Sequence, residues 1–341
     1  MVRERNYVTC ACLRKPHAGS WNYLYRNGSN KNFINVTSLT KVAFHQLLTL
    51  FAPLYEDAGK WRPGGCGRPR KLIESHAVLG LLLAFYSDSC GMKALCLQFG
   101  LPPATACRTL KQAEVCLLAC LSQTPLAAVK WPTRDEQVQW AELVQKKNSL
   151  VTGRWGFIDG KNYKVQKPSC AELQNAMYNG WLHSTLITGV LCFGATGLLV
   201  WGKHNVVGSW NDGDMSRGFQ AKIAREDINV DNHGVLSDSA FPVSGDCFRR
   251  IITPLKENEE DKIADPVARR MALKMSAAIT SMRQPAEWGM GAVEKVYRRL
   301  LLSLPFDQNR RGRRLRTIYL LYNFRVRTTG ISQIKNYFQN E

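Results

Sequence analysis

The segment Arg154-Trp-Gly-Phe-Ile-Asp-Gly160 sets the interpretation of the whole chain. Its apolar run, Trp155 to Ile158, predicts a buried strand, and Asp159 follows it directly. A buried strand that ends at a carboxylate beside glycine, whose φ is unrestricted, presents that carboxylate at the end of a sheet. Because the chain carries a formal net charge of +19, a buried acidic group requires a cationic partner, such as a divalent metal ion. The alternative is an ordinary aspartate at a strand-to-turn junction.

Length and composition indicate a globular protein that binds a polyanion. The 341 residues are enough for two domains, or for one large domain with an accessory module. Lys and Arg number 46 against 27 Asp and Glu, and such an excess favours nucleic acid over a membrane surface as the partner. No apolar run is long enough to span a bilayer, and the polar N-terminus predicts no secretory signal. The eleven scattered cysteines lack zinc-ligand spacing, so they are expected to be reduced, mostly buried, and in an intracellular compartment.

The first part of the chain is predicted to be helical and to contain a basic linker. Residues 1–56 should hold one amphipathic helix that ends at Pro53, and residues 57–71 are rich in Gly and Pro. Arg68, Arg70 and Lys71 in this linker are candidates for contacts to a DNA minor groove or phosphate path. A plain solvated linker is the alternative.

Residues 72–150 are predicted to be helical and to resemble a helix-turn-helix. A short helix, Met92 to Gly100, precedes a Pro-containing turn and a second helix that begins near Ala104. Thr105, Arg108 and Lys111 would then be polar positions of a DNA-recognition helix. Helical bundles that never contact DNA contain the same layout.

The pattern changes near residue 150 to strands followed by helices. After the first strand, residues 162–165 are predicted as its hairpin partner or its continuation. The elements that follow are an uncharged β-rich run at 182–193, a strand at 198–201, a helix over about 215–224, a short strand at 235–236 and late helices over about 266–280, 285–302 and 314–324. This order predicts an α/β fold: an RNase H-like domain over 151–330, with a mixed sheet flanked by helices, and a tail over 331–341. Its first and fourth strands would be neighbours, so Asp159 and Asp238 would emerge side by side.

A third carboxylate completes a set suited to divalent metal ions. Glu287 lies on a predicted helix just after Arg283, and Glu294, two turns further on, is a rival for the same role. Three carboxylates suit two Mg²⁺ or Mn²⁺ ions about 3.5–4 Å apart, because hard cations prefer oxygen ligands and bridge to phosphate oxygens.

Six segments between about 153 and 325 also resemble the DDE domain of PIF/Harbinger-type transposases and the nucleases derived from them. They are Gly156-Phe-Ile-Asp-Gly160, Asn179-Gly-Trp181, Gly208-Ser-Trp-Asn-Asp212, Leu236-Ser-Asp-Ser-Ala-Phe-Pro242, Arg283-Gln-Pro-Ala-Glu287 and Leu320-Leu-Tyr-Asn-Phe324. The resemblance implies that Asp159, Asp238 and Glu287 are catalytic metal ligands. Ala240 and Phe241 replace the Gly and Tyr usual in the family, which is either a neutral difference or a sign of lost activity.

Several other residues have more than one interpretation. Asp212 is either a further metal contact or a helix N-cap, and Arg283 binds phosphate, pairs with a carboxylate of the triad or forms an ordinary salt bridge. Lys161 and Lys164 are candidates for the DNA backbone path. The run Arg310-Arg-Gly-Arg-Arg-Leu-Arg316 is a nuclear import signal, a phosphate-contacting segment or a solvated charge run.

The sequence therefore predicts a DDE-type transposase or endonuclease that hydrolyses double-stranded DNA, with strand transfer as an optional second step. A homodimer, a separate DNA-binding partner protein, a nuclear location and no membrane association accompany this prediction. The alternatives are a domesticated DNA-binding protein that does not cut, and a metal-dependent hydrolase of small substrates.

Overall fold

The chain folds into two compact units, each described here by itself. The computed structural model describes residues 8–60, 70–210, 212–239, 241, 243, 245–256 and 258–339. The helical unit comprises Met1–Ala128, Glu294–Leu302 and Arg313–Gly330, and the sheet unit comprises Val129–Val293, Ser303–Gly312 and Ile331–Glu341.

The helical unit is built around one helix that is buried on every side. Its first helices are α1 (Ser20–Asn27), α2 (Asn30–Thr37), α3 (Lys41–Lys60), α4 (Ser75–Ser87), α5 (Met92–Phe99) and α6 (Pro103–Gln123). In α4 every residue from Ala77 to Tyr86 is buried, as its uniformly apolar sequence predicts. Gly80 lies against the Trp21 ring so closely that a β-carbon would overlap it, and so α1 and α4 pack without a gap.

Helices α5 and α6 are the pair that the sequence places on either side of Gly100. Gly100 ends α5 in the left-handed region with φ 66°, and a β-carbon there would collide with the Arg14 carbonyl oxygen. Pro103 opens α6, where the missing N–H has no cost. The order of helix, turn and helix is present, while a DNA-binding role for the pair stays a prediction.

The helix that was expected to end at Pro53 continues to Lys60. Proline removes one backbone hydrogen bond, but the buried Phe51 and Tyr55 on either side of Pro53 anchor the helix to the core. Residues 57–60, predicted as the start of a linker, are therefore helical, and 61–69 lie outside the described residues.

Among the described residues, the sheet unit contains a six-stranded mixed sheet in which β3 pairs with three other strands. The strands are β1 (Arg154–Lys164), β2 (Tyr178–Asn179), β3 (Ser184–Gly194), β4 (Leu199–Val207), β5 (Gly234–Leu236) and β6 (Ile251–Ile252). Their order is β2-β3-β1-β5-β6, and β4 also pairs with β3. Strand β3 is antiparallel to β1, β2 and β4, whereas β1, β5 and β6 run parallel. Paired along both edges, β3 is buried from Thr185 to Gly194, which explains its uncharged sequence.

Strand β1 does not stop before Asp159 but continues through it to Lys164. The sequence left residues 162–165 as a hairpin partner or a continuation of the first strand, and residues 162–164 are its continuation, because this half pairs with β3 through the register from Gly160↔Val190 to Lys164↔Leu186. Tyr163 is buried while its neighbours are more exposed, and this alternation is that of a strand with one solvated face. Asp159 therefore lies within a strand and not at its end.

Buried Arg154 ties together the beginnings of the parallel strands. Its Nε donates to the Thr152 carbonyl oxygen at 2.9 Å, Nη1 to Arg249 O at 2.6 Å and Nη2 to Asn232 O at 2.6 Å. Burial lowers the pKa of this guanidinium to about 10, so it stays charged at neutral pH. The three bonds fix the loops that enter β1, β5 and β6.

Helices pack around this sheet. They are α7 (Arg134–Lys147), α8 (Ala171–Met177), α9 (Asp212–Ile223), most of α10 (Pro266–Val296), the first residues of α11 (Gln308–Thr329) and α12 (Gln333–Gln339). Gly194 leaves room for the Trp140 ring of α7. The ring centres of Phe219 in α9 and Trp201 in β4 lie 5.2 Å apart. The fold is thus mixed α/β, with a mixed sheet flanked by helices, and it is consistent with an RNase H-like domain.

The helices expected over 266–280 and 285–302 are largely one helix, α10, which contains Pro285 and ends at Val296. The buried side chains Met282, Pro285 and Ala286 lie on the face that packs inward, so apolar contacts offset the hydrogen bond that proline cannot donate.

In the part of the chain that the structure describes, no helix is long and apolar enough to cross a membrane. No disulfide joins the cysteines of the described residues, and about half of those cysteines are buried. Cys10, Cys12, Cys90 and Cys170 are exposed, contrary to the expectation that most would be buried.

Candidate active site

Two aspartates meet across the parallel pair of strands β1 and β5. The register pairs Phe157 with Leu236, and each aspartate follows its paired residue by two positions, which places Asp159 beside Asp238. The Ser237 hydroxyl donates to the Ile158 carbonyl oxygen at 3.1 Å and extends the pairing beyond the end of β5. The adjacency predicted from the order of strands is present.

Glu287 approaches from α10 and is held by an arginine of the same helix. Arg283 Nη1 lies 3.2 Å from Glu287 Oε1, one helical turn away. Gly289 faces the Phe193 ring, where a β-carbon would lie 2.8 Å from Cγ, so this half of α10 rests directly on β3. Close packing therefore fixes the height at which Glu287 stands above the sheet.

Asp159 senses both of the other carboxylates. Burial raises its pKa to about 6, and the negative charges of Asp238 and Glu287 act in the same direction. The Gly160 N–H, which donates to Asp159 Oδ1 at 2.7 Å, and the charge of Arg283 oppose the rise. Three acidic groups and one arginine thus share one electrostatic environment. Glu294 belongs to the helical unit, whereas the other three carboxylates belong to the sheet unit.

The donor set fits a hard divalent cation, although the side chains are not arranged as a finished chelate. Among the described residues, no group of three or more His, Cys, Asp or Glu side chains is placed to hold a metal ion. Carboxylate oxygens are the ligands that Mg²⁺ and Mn²⁺ prefer, and a cation would offset both the burial and the neighbouring negative charges that raise the pKa of Asp159. Glu287 would have to exchange Arg283 for the metal. Asp159, Asp238 and Glu287 are the residues that would hold it.

Two further residues of the motifs are placed only in part. Asp212 begins α9, as expected of a helix start, but its side chain lies outside the described residues, and its metal role stays a prediction. Ala240 also lies outside them, while Phe241 is buried and donates its N–H to the Asp238 carbonyl oxygen at 3.3 Å. A buried phenyl ring therefore occupies the place of the family's tyrosine.

Lys161 is the cation nearest in sequence to the carboxylates. It follows Asp159 by two positions of β1, so both side chains leave the same face of the strand, about 7 Å apart along it. Its Nζ lies 5.7 Å from the centre of the Tyr163 ring. This position suits a phosphate that lies next to the carboxylates.

The other predicted DNA contacts lie in the helical unit. Arg108 and Lys111 are exposed on α6, Thr105 is half-buried, and Leu110 turns inward. Arg70 packs on the Tyr55 ring at 4.4 Å and donates to Tyr55 O at 3.3 Å, Lys71 is exposed, and Arg68 lies outside the described residues. None of these positions by itself tests DNA binding.

The basic run 310–316 is largely structural rather than solvated. Arg311 is buried and donates to Asn205 Oδ1 at 2.5 Å and to two backbone carbonyl oxygens of its own loop. Arg314 is buried in the helical unit, where its Nε lies 2.8 Å from Glu114 Oε1. Tyr86 donates to the same oxygen at 3.0 Å. Charge density in the sequence does not distinguish such buried partners from a free basic surface.

The structure also presents a feature that the sequence analysis did not select. A cavity lies at the far end of β1, and the turn beside it carries Trp181, whose side chain is 90% exposed. In the sequence, Trp181 is part of the segment Asn179-Gly-Trp181. A tryptophan that follows Gly180 in a turn is a signal for an exposed aromatic ring.

The mixed sheet flanked by helices puts the protein in the mixed α/β class and is consistent with an RNase H-like domain. Comparison with protein families agrees with this class: residues 158–323 match the family described as DDE superfamily endonuclease. The match begins one residue before Asp159, continues past Glu287, and supports a DDE transposase-like nuclease. No curated protein and no solved structure matched the chain.

Proposed function

We propose that this chain is a DDE endonuclease of the PIF/Harbinger type that hydrolyses phosphodiester bonds of double-stranded DNA with Asp159, Asp238 and Glu287. The observation that carries the proposal is the parallel pairing of β1 and β5, which places two of these carboxylates side by side within a matched DDE region. The negative charge of Glu287 contributes to the raised pKa of Asp159, which supports Glu287 as the third carboxylate of the site.

The residues of the site have separate roles in the proposed reaction. When bound, two Mg²⁺ or Mn²⁺ ions would activate the attacking water and stabilise the leaving oxygen. Asp159 and Asp238 hold their oxygens at adjacent positions of a rigid sheet, so little reorganisation is needed there. Arg283 compensates the charge of Glu287, and its guanidinium would be available to contact the phosphate if Glu287 held a metal ion. Lys161 binds the neighbouring phosphate of the DNA strand.

DNA binding would draw on the helical unit as well. Arg68, Arg70 and Lys71 follow the backbone, and the exposed Arg108 and Lys111 of α6 contact the duplex together with Thr105. The formal net charge of +19 supports a polyanionic substrate. Strand transfer of the freed 3′ end, a homodimer, a separate DNA-binding partner protein and a nuclear location belong to the same proposal.

Nicking of supercoiled plasmid and of candidate inverted-repeat ends, with Mg²⁺ or Mn²⁺ and with EDTA, tests the reaction. Asp159→Asn, Asp238→Asn and Glu287→Gln are each expected to lower the nicking rate by orders of magnitude while DNA affinity stays within a few-fold of wild type. The exposed Asp246→Asn is the matched control. Glu294→Gln decides between the two glutamates, because only replacement of the glutamate that binds the metal should abolish nicking. The proposal would be refuted if the wild-type protein nicked neither the plasmid nor any of the ends, with or without a metal ion.

One observation favours a second candidate, a domesticated DNA-binding protein that does not cut. Glu287 is already paired with Arg283, whose Nη1 lies 3.2 Å from Glu287 Oε1. Such a protein would bind DNA with a strong dependence on salt and with no effect of Mg²⁺ on the DNA product. Substituting Arg108 and Lys111 would weaken binding in both candidates but would leave a hydrolase of small substrates unaffected.

A further inference from the structure

A cavity of about 410 Å³ lies where β1 leaves the sheet. Its polar lining includes Lys164, Lys167, Gln174, His183 and Ser303, and no acidic side chain contributes to it. Lys164 and Lys167 are both exposed, so the cavity is open and positively charged. Its chemistry fits an anion with several acceptor oxygens.

Backbone hydrogen bonds hold the walls of this cavity in place. The Val165 N–H donates to the Thr185 carbonyl oxygen at 3.1 Å, which joins the end of β1 to β3. The Leu304 N–H donates to Lys164 O at 2.8 Å, and the Gln166 N–H donates to Leu304 O at 2.9 Å. The segments that carry the two lysines and Ser303 are therefore fixed relative to each other.

The turn that forms one side of the cavity displays an aromatic ring to solvent. Trp181 lies between β2 and β3, and its neighbours Tyr178 and Leu182 are also exposed. The side chain of Asn179 holds the turn, accepting from the Leu182 N–H at 3.0 Å and donating to Gly208 O at 3.3 Å. The Asn179 side chain thus holds the turn in place, while the Trp181 ring remains exposed to solvent.

His183 closes the turn in an uncommon conformation. Its φ of 46° lies in the left-handed region, and its Nδ1 lies 3.3 Å from the Tyr178 hydroxyl. This geometry leads the chain from the exposed Trp181 directly to the cavity wall. A stacking surface and an anion-binding cavity therefore stand within two residues of each other.

We infer that this feature binds an unpaired nucleotide of the DNA substrate, with its base stacked on Trp181 and its phosphate held by Lys164 and Lys167. The inference rests on the proposed function, because that function supplies DNA as the ligand. A tract that only follows a duplex needs cations without an exposed indole, and a protein-docking turn needs the indole without the lysine-lined cavity. Both together match the single-strand binding pattern of a positive groove with an aromatic platform.

The site is separate from the carboxylates. Lys164 follows Asp159 by five positions of β1, about 16 Å along the strand, and its side chain leaves the opposite face. The nucleotide held there is therefore not the one that is cut. Its capture would keep DNA open next to the cleavage site.

Fluorescence anisotropy with the full chain in EDTA tests the inference without cleavage. The probes are a blunt labelled duplex and the same duplex with a short unpaired overhang. Wild type is expected to bind the overhang duplex more tightly. Trp181→Ala should remove roughly 5- to 150-fold of that affinity, the range that corresponds to about 1–3 kcal/mol of stacking per base, while Trp181→Phe retains most of it. Lys164→Gln with Lys167→Gln should weaken overhang binding and reduce its salt dependence.

Phe248→Ala is the matched control, since this ring is 73% exposed and precedes β6, at the opposite end of the parallel strands from Asp238. Trp181 is on the surface, so unchanged thermal unfolding of its variants establishes that they fold. Equal binding of both probes by wild type, or an overhang preference that survives Trp181→Ala, would overturn the inference. If wild type binds neither probe, the proposed function fails as well. If one of the two refuting results is found while wild type nicks the blunt duplex with Mg²⁺, only this inference fails.

Discussion

Replacing Asp159 by asparagine should stabilise the sheet unit at neutral and alkaline pH. The pKa of this carboxyl is raised from its ordinary 3.8 to about 6, chiefly by burial and also by two neighbouring carboxylates. Between these values the folded state holds a proton that the unfolded state has lost, so stability falls as the pH rises. Above about pH 6 the loss is complete and amounts to about 3 kcal/mol, at about 1.4 kcal/mol per pKa unit. Asparagine keeps the acceptor oxygen for the Gly160 N–H and removes the charge.

Thermal unfolding monitored by circular dichroism between pH 3 and pH 8 measures the effect. We expect the Tm of Asp159→Asn to exceed that of wild type at pH 8 by roughly 6–12 °C for a cooperative unit of 150–250 residues. The two proteins should converge below about pH 4. Mg²⁺ should raise the Tm of wild type at pH 8 and have little effect on the variant.

The exposed Asp246→Asn serves as the control and should follow wild type at every pH. Equal Tm values of wild type and Asp159→Asn at pH 8 would show that Asp159 ionises there without penalty. That result would refute both the burial of the aspartate among like charges and the reason given for its need of a cation.

Three further perturbations test other parts of the structure. Arg283→Gln removes a positive charge that lowers the pKa of Asp159. The fall of Tm with rising pH should therefore occur at higher pH in this variant than in wild type. Glu114→Gln leaves the buried guanidinium of Arg314 without its counter-charge, and chemical denaturation should show a loss of about 3–5 kcal/mol in the free energy of unfolding of the helical unit. Gly80→Ala forces a methyl group into the neighbouring indole, and the same measurement should show a loss of about 1–3 kcal/mol.

Each of these has an outcome that contradicts it. An unchanged pH profile for the arginine variant would separate Arg283 from Asp159. For the buried pair, the exposed pair of Arg269 and Asp261 is the control, and Asp261→Asn should cost no more than about 1 kcal/mol. A loss no larger than this in Glu114→Gln would mean that its ion pair is solvated. A fully stable Gly80→Ala would show that α1 and α4 can separate without cost.

The sequence predicted the pairing of Asp159 with Asp238 because that pairing depends on the order of the strands. Apolar runs locate buried strands well, and a parallel neighbour follows from the topology. The sequence left residues 162–165 as a hairpin partner or a continuation of β1, and only the pairing with β3 decides for the continuation. The break expected at Pro285 was wrong because packing on the sheet outweighs one lost hydrogen bond.

Properties that depend on side-chain partners could not be predicted. The pairing of Arg283 with Glu287 was one of three readings, and only geometry distinguishes them. The basic run 310–316 contains two arginines whose acceptors lie about a hundred or more residues away in the sequence. The cavity beside Trp181 arises from three segments that meet only in the folded chain.

The three hydrogen bonds of Arg154 have a consequence at some distance from that residue. A strand that slips by one position turns every side chain to the opposite face, and such a slip between β1 and β5 would separate the two aspartates completely. A single guanidinium that holds three loop carbonyls at the entrance of these strands makes the slip costly. The alignment of Asp159 with Asp238 is therefore set at the opposite end of the strands, by an arginine that contacts neither carboxylate.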